Sequence, residues 1–297
     1  MRCQPSSTET SRAARSLHYR SVFQWAVILG LSVIHLHAFA QDFGEGHKLL
    51  TIWAGSLPII LSAPHGGRQP IPGVIVRRGV GIPQFTTERD NNTAELAEAL
   101  AAQLADRLSA KPFVVIAQFD RKYLDANRNA SAAYESAAAK SSYDAYHRAL
   151  LDAAERVRHG WGGGLLLDIH GQGAQAETIF RGTENGKSVS ALRQKFGNDA
   201  LSGPKSILGQ MAVKGYKILP GVAGNEGERR YTGGYTTQTY GSHRGTKIDA
   251  IQLEFGTSLR AKANLERTAS DLADAIEVFV REYLPIVKST APVTPRP

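Results

Sequence analysis

Gly164-Leu165-Leu166-Leu167-Asp168-Ile169-His170-Gly171 is an apolar run that ends in a carboxylate, an imidazole and a glycine. A short, nearly continuous apolar stretch marks a strand buried on both faces. Side chains two apart on a strand point the same way, so Asp168 and His170 share one face. Pro58-Ile59-Ile60-Leu61-Ser62-Ala63-Pro64-His65-Gly66-Gly67 repeats the plan: an apolar strand, a histidine, then glycines. Outward from these two stretches, Phe113–Phe119 reads as another buried strand, and Ile248–Phe255 as one with polar residues among the apolar ones. Leu49–Ala54 and Pro58–Ala63 read as two short strands joined by Gly55-Ser56. Helical periodicity separates the strands. Leu96, Leu100, Leu104 and Leu108 recur at four-residue spacing over Asp90–Leu108. A second long helix is expected from about Ser131 to Arg158, and a last one over Leu265–Tyr283, with Leu272, Ile276, Phe279 and Val280 on one face. Strands alternating with amphipathic helices predict an α/β fold, a three-layer sandwich with a mixed sheet and helices on both faces. Polar groups in such folds collect in loops beyond the strand ends.

The first forty residues stand apart. Arg12, Arg15 and Arg20 lead into an apolar stretch from Val22 to Ala40 that closes Ala38-Phe39-Ala40 before Gln41. That pattern predicts a secretory signal peptide over residues 1–40, cleaved after Ala40, and a periplasmic or secreted protein. An uncleaved anchor is the rival reading, but His35 and His37 interrupt the apolar run and a small-residue site follows it. The remainder, 41–285, has the size of one catalytic domain, with no internal repeat and no linker. A proline-rich tail, 286–297, is expected to be disordered. The one cysteine, Cys3, falls in the leader, so no disulfide or thiol chemistry is expected of the rest. The net charge of +8 is not gathered into runs, and no clusters of Lys and Arg alternate with stacking aromatics. Nucleic acid is therefore not an expected partner, and no stable membrane span is expected after cleavage.

Chemistry-bearing residues fall into short motifs. His65 and His170, each at a strand end before glycines, suit metal ligation, and Asp168 is placed to orient His170. A third ligand should be a carboxylate, yet the position three after His65 is Arg68. The nearest acids are Glu88 and Asp90, just before the first long helix, where Asp90 could instead be only its N-cap. Asn127-Arg128, within Leu124-Asp125-Ala126-Asn127-Arg128, offers a planar fork of donors for a carboxylate. Glu254, on one face with Gln252, could accept a proton from water and return it to a leaving amine; an exposed edge strand is the alternative for that face. No Gly-x-Ser-x-Gly elbow is present, and Gly162-Gly163-Gly164 precedes a strand rather than a helix, so neither a serine hydrolase nor a phosphate loop is expected.

Taken in order, these segments resemble the N-formylglutamate amidohydrolase family, a branch of the zinc carboxypeptidase-like (phosphorylase/hydrolase-like) hydrolases. The resemblance runs from about Pro58 to Glu282. Its most specific part is Gly233-Gly234-Tyr235-Thr236-Thr237-Gln238-Thr239-Tyr240-Gly241, leading into Ala250-Ile251-Gln252-Leu253-Glu254. The resemblance implies one zinc ion per chain on His65, Asp90 and His170. It further implies substrate contacts from Asn127, Arg128, Tyr235 and Gln238, and catalysis by Glu254 with Arg128 on a small acidic N-acyl amino acid or peptide. One departure bears on substrate: where the family often carries an arginine after Gly-Gly-Tyr, this chain has Gln238 and Thr239. A cell-wall or poly-γ-glutamate peptide hydrolase, or an inactive binder of acidic ligands, stays open beside the amidohydrolase.

Overall fold

The seven strands of the computed structural model form one mixed sheet. They are β1 (Leu50–Trp53), β2 (Ile59–Ala63), β3 (Phe113–Ala117), β4 (Gly164–Gly171), β5 (Thr178–Gly182), β6 (Lys217–Leu219) and β7 (Ile248–Phe255). Their order across the sheet is β1-β3-β2-β4-β7-β5-β6. The four central strands, β3, β2, β4 and β7, run parallel, while β1 and β5 are antiparallel to their inner neighbours. The structure describes residues 45–221 and 227–284, all within one compact unit. The expected signal peptide and proline-rich tail lie outside these residues. Among the described residues no helix is long and apolar enough to cross a membrane.

Alternation within β2 shows how the layers arise. Ile59 and Leu61 enter one core, with Leu100 and Leu104 of the helix Thr93–Leu108 and Leu272, Ile276 and Phe279 of the helix Lys262–Tyr283. Ile60 enters the other, with Tyr146, Leu150 and Val157 of the helix Lys140–Trp161. Both faces of the sheet are thus sealed by helices. Every residue of β2, β3, β5 and β7 is buried.

One expected element needs correcting. The second helix does not run unbroken from Ser131: a single turn at Ala130–Ala133 stops at Tyr134, whose backbone is extended, and the long helix starts at Lys140. The two strands expected on either side of Gly55-Ser56 are present as β1 and β2, with β3 lying between them. β7 is not the edge strand that stood as the alternative for Gln252 and Glu254. It lies between β4 and β5, so the polar face of Gln252 and Glu254 needs another explanation than solvent.

That explanation is the topology. The connection from β2 to β3 passes through the helix on one face, and that from β3 to β4 through the helix on the other, so the chain doubles back about β2. A crevice opens beyond the carboxyl ends of parallel strands where such a reversal occurs. β2, β3, β4 and β7 all end there, each followed or finished by polar residues.

Candidate functional site

His65 lies two residues past the end of β2, on a turn whose glycines serve close approach rather than a left-handed backbone. A Cβ on Gly66 would fall 2.5 Å from the amide nitrogen of Ala94, and one on Gly67 2.3 Å from the carbonyl carbon of Gln118. The turn is thereby pressed between the start of the first long helix and the strand-end of β3. The backbone carbonyl of His65 accepts from the amide of Asp90 at 3.1 Å, which ties the Asp90 loop to it.

His170 and Glu254 are register partners on the adjacent strands β4 and β7, as are Asp168 and Gln252. The alternation that buries Leu167, Ile169, Ile251 and Leu253 in a core sends these four polar side chains to the other face, at the sheet's carboxyl end.

Two carboxylates set the tautomers of the two imidazoles. His65 Nε2 is 2.7 Å from Asp125 Oδ1, and His170 Nε2 is 2.9 Å from Asp168 Oδ2. An imidazole that donates from Nε2 leaves its lone pair on Nδ1. Both Nδ1 atoms turn to the same oxygen, Asp90 Oδ2, at 3.4 Å for His65 and 3.2 Å for His170. The rings sit edge to face with centroids 4.8 Å apart. His65 Nδ1 is buried without a hydrogen-bond partner. Two imidazole nitrogens converging on one buried carboxylate oxygen can be joined to it by protons, as at His170 Nδ1, or by a cation, and the orphaned His65 Nδ1 favours the cation, since a buried acceptor with no donor is costly. One ligand atom from each of His65, Asp90 and His170 can be chosen so that all lie within 4.8 Å of one another. This buried group is compatible with a metal, and its donor set suits zinc chemistry, with carboxylates behind both histidines.

The electrostatics agree with a site built for a charge. Burial would raise the Asp90 carboxyl, but His170 and His65 overcome this and hold it below the usual carboxylate range. Burial alone would lower the His170 imidazole, yet Asp168, Asp90 and Glu254 push it well above its ordinary value. Protons and a metal therefore compete for the same lone pair. Glu254 is raised, first by burial and further by the charge of Asp90.

Asp168 also accepts from Ser62 Oγ at 2.5 Å. Asp90 is not the helix N-cap, a position held by Asn92; its Oδ2 also accepts from the amide of Gly171 at 3.1 Å. Glu88 is exposed and stands outside the His65–Asp90–His170 group. Asn127 is a brace: its Oδ1 accepts from the amide of Thr236 at 2.7 Å, and its Nδ2 lies 3.4 Å from Gln252 Oε1. Arg128 spends its Nε on Asp125 at 3.3 Å and its terminal nitrogens on the carbonyls of Pro83 and Gln84, at 3.0 and 2.5 Å. Tyr235 and Gln238 line the same cleft as the two histidines, Asp90, Asn127, Arg128 and Glu254. Gln238 gives its Nε2 to the carbonyl of Gly233 at 3.2 Å. The cleft holds about 570 Å³.

Sequence reasoning passed over Asp125 and Arg121. Asp125 is fully buried and carries His65 on one oxygen and Arg121 Nε and Nη2 on the other, at 3.0 and 2.9 Å. The two arginines at its −4 and +3 positions were the available signal, because a carboxylate flanked by guanidiniums is a paired one. Gln252 does more than share a face with Glu254. It donates to Glu254 Oε1 at 2.8 Å and accepts from the amide of Gly234 at 2.7 Å.

Comparison with known proteins gives the class of fold. No family model and no curated protein sequence matches the chain. Among solved structures, the chain is similar to an N-formylglutamate amidohydrolase from Ralstonia eutropha JMP134, with a TM-score of 0.52 and 17% identity over 78% of this chain and 98% of that one. It is also similar to a gene product of Agrobacterium tumefaciens, with a TM-score of 0.51 and 13% identity over 81% of this chain and 98% of that one. A metallo-carboxypeptidase from Pseudomonas aeruginosa follows at a TM-score of 0.40 and 17% identity, over 76% of this chain and 57% of that one. The chain thus has the fold found in N-formylglutamate amidohydrolase, which is the resemblance its motifs carry. At these identities the likeness concerns architecture, and activity has to be argued from the site.

Proposed function

We propose that this chain is an exported zinc-dependent amidohydrolase that cleaves an amide bond of an N-acyl amino acid or acidic peptide. The observation that carries the reading is the convergence of His65 Nδ1, His170 Nδ1 and Asp90 Oδ2, with Glu254 beside them in the register of His170. His65, Asp90 and His170 would hold the ion. Zinc bound there would supply Lewis acidity toward a substrate carbonyl and make water a competent nucleophile near neutral pH.

The remaining roles belong to the chain's own side chains. Glu254 takes the proton of the attacking water at its carboxylate and delivers it to the leaving nitrogen. Its raised affinity for protons, caused chiefly by burial, suits a group that must accept one and give it back. Gln252 donates to Oε1 of Glu254 and so orients the carboxylate. Asp125 and Asp168 keep the imidazoles from rotating. Arg128 and Asn127 bind the substrate's acidic group with N–H groups left over from their bracing bonds, and Tyr235 and Gln238 line its path. The apolar leader supports export.

Replacing Glu254 by Gln tests the assignment. The variant should bind zinc as the parent does and lose turnover of N-formylglutamate and of short acidic peptides by at least about a hundredfold. A variant that keeps the parent kcat would remove Glu254 from the mechanism.

A further inference from the structure

We propose that Arg229 and Arg230 form an outer anion subsite of the cleft, so that the preferred substrate is a peptide with a second carboxylate at least one residue from the scissile amide. The inference rests on the amide-hydrolase reading of the inner site and extends it to the shape of the substrate.

Four arginines line the cleft, and they differ in what they are bonded to. Arg121 and Arg128, near the floor, both give nitrogens to Asp125, and Arg128 also holds two backbone carbonyls. Arg229 and Arg230 are exposed, and among the described residues neither has an ion-pair partner. Arg230 lies 5.6 Å from the ring of Tyr231. Among the described residues, the positive charge of the cleft that no carboxylate pairs is therefore on its exposed arginines. Charge without an ion-pair partner is wholly free for a ligand's carboxylate, whereas the inner arginines share theirs with Asp125 and offer only their remaining N–H groups.

The backbone that carries these two arginines is pinned, which separates them from ordinary surface charges. The neighbouring Glu228 has a side chain 0% exposed and paired with Arg181 Nε at 2.8 Å. Its carboxylate also accepts from the amides of Thr183 and Asn185, at 2.7 and 2.8 Å, and from the Thr183 hydroxyl. Beyond the arginines, the carbonyl of Thr232 accepts from Glu184 at 2.6 Å, and the amide of Gly234 donates to Gln252 at 2.7 Å. A segment fixed on both sides presents its cations at little ordering cost. Between the two ends of the site, a cleft of about 570 Å³ has room for more than one acylated amino acid, given that pockets of about 300–1,000 Å³ take drug-sized ligands. Gln238 is neutral and partly engaged with Gly233, so the nearby charge on this wall comes from Arg229 and Arg230.

Calorimetric titration of the zinc-loaded protein tests this without requiring turnover. The probes are tri-glutamate and the C-terminal amide of glutamyl-diglutamine, whose one carboxylate is the first side chain. The parent should bind tri-glutamate about tenfold more tightly, the size expected for a charge-assisted contact. In Arg229→Gln/Arg230→Gln the preference should fall to near unity, while Arg148→Gln, an exposed change that is not part of the cleft lining, should keep it. Equal affinities in the parent, or a preference that survives in the double variant, would overturn the subsite. Chromatography of the same mixtures separates the two layers of the argument. Tri-glutamate that is held through the arginines but never cut contradicts the hydrolase reading and leaves the subsite standing. Cleavage indifferent to the arginines does the reverse.

Discussion

Replacing Asp125 by Asn changes one oxygen to nitrogen and should disturb both the fold and the metal centre. The carboxylate is fully buried and lies 2.7 Å from His65, 2.9 Å from Arg121 and 3.3 Å from Arg128, with Arg77 at 3.9 Å. An amide in its place can satisfy His65 and the Asn127 amide through one oxygen. Its NH2 group then faces the Arg121 and Arg128 donors, and the guanidiniums lose their shared counter-charge. Removing one partner of a buried ion pair costs about 3–5 kcal/mol, and the retained hydrogen bonds put this variant near the lower end, about 3 kcal/mol. The pH dependence fixes the sign. Burial would raise the carboxyl, but His65, Arg121 and Arg77 hold it well below the ordinary range. A depressed folded pKa gives stability that is present above the unfolded value of about 3.9 and is lost as pH falls toward the folded one. Urea unfolding in the presence of a chelator should therefore show a deficit of about 3 kcal/mol at pH 7 that shrinks once pH drops below about 4. Zinc affinity, measured against a competing chelator, should weaken by about 10–100-fold, because the orienting bond to His65 is degraded. A deficit under about 1 kcal/mol with unchanged zinc affinity would show that Asp125 neither anchors the arginines nor orients His65, since that is the size of an exposed pair.

Two further expectations concern other parts of the chain. Gly234→Ala places a Cβ 2.2 Å from Asn127 Nδ2, a side chain already tied to Thr236 and Gln252. It should destabilise by about 1–3 kcal/mol, as overpacking does, and a thermal midpoint equal to the parent's would show that Asn127 can move aside freely. Asp249 is raised to about 6, mainly by burial and against its bonds from Ser242 and Leu192. The native state then holds a proton that the unfolded chain has released between about pH 4 and 6, so this group costs stability as pH rises through that window. Asp249→Asn should gain up to about 3 kcal/mol at pH 8 relative to pH 4, and a pH-independent difference between variant and parent would count against it.

Much of the architecture could be read from the chain because its central strands are long apolar runs. Gly164–Gly171 and Ile248–Phe255 are eight-residue strands, and three helices carry leucine or mixed apolar stripes. β5 and β6 were missed for the opposite reason. β6 has three residues, and β5 carries Arg181, whose charge is cancelled by Glu228 far along the chain. The polar face of β7 left an edge strand open beside a catalytic carboxylate, because periodicity cannot tell a solvent face from the wall of a cleft. Asp90 illustrates a similar ambiguity: before a helix its type suits a cap, and the topology of β2 and β4 places it between two imidazoles instead. The bond from Asp125 to His65 and that from Gly234 to Gln252 join residues distant in sequence, which no local pattern displays.

The proposed zinc centre of His65, Asp90 and His170 stands or falls on metal content. Mass spectrometry of metals in the purified protein beside its His170→Ala variant tests it most directly. One zinc per chain in the parent, lost in the variant, is the predicted result; a parent that takes up no zinc after dialysis against it would contradict the account.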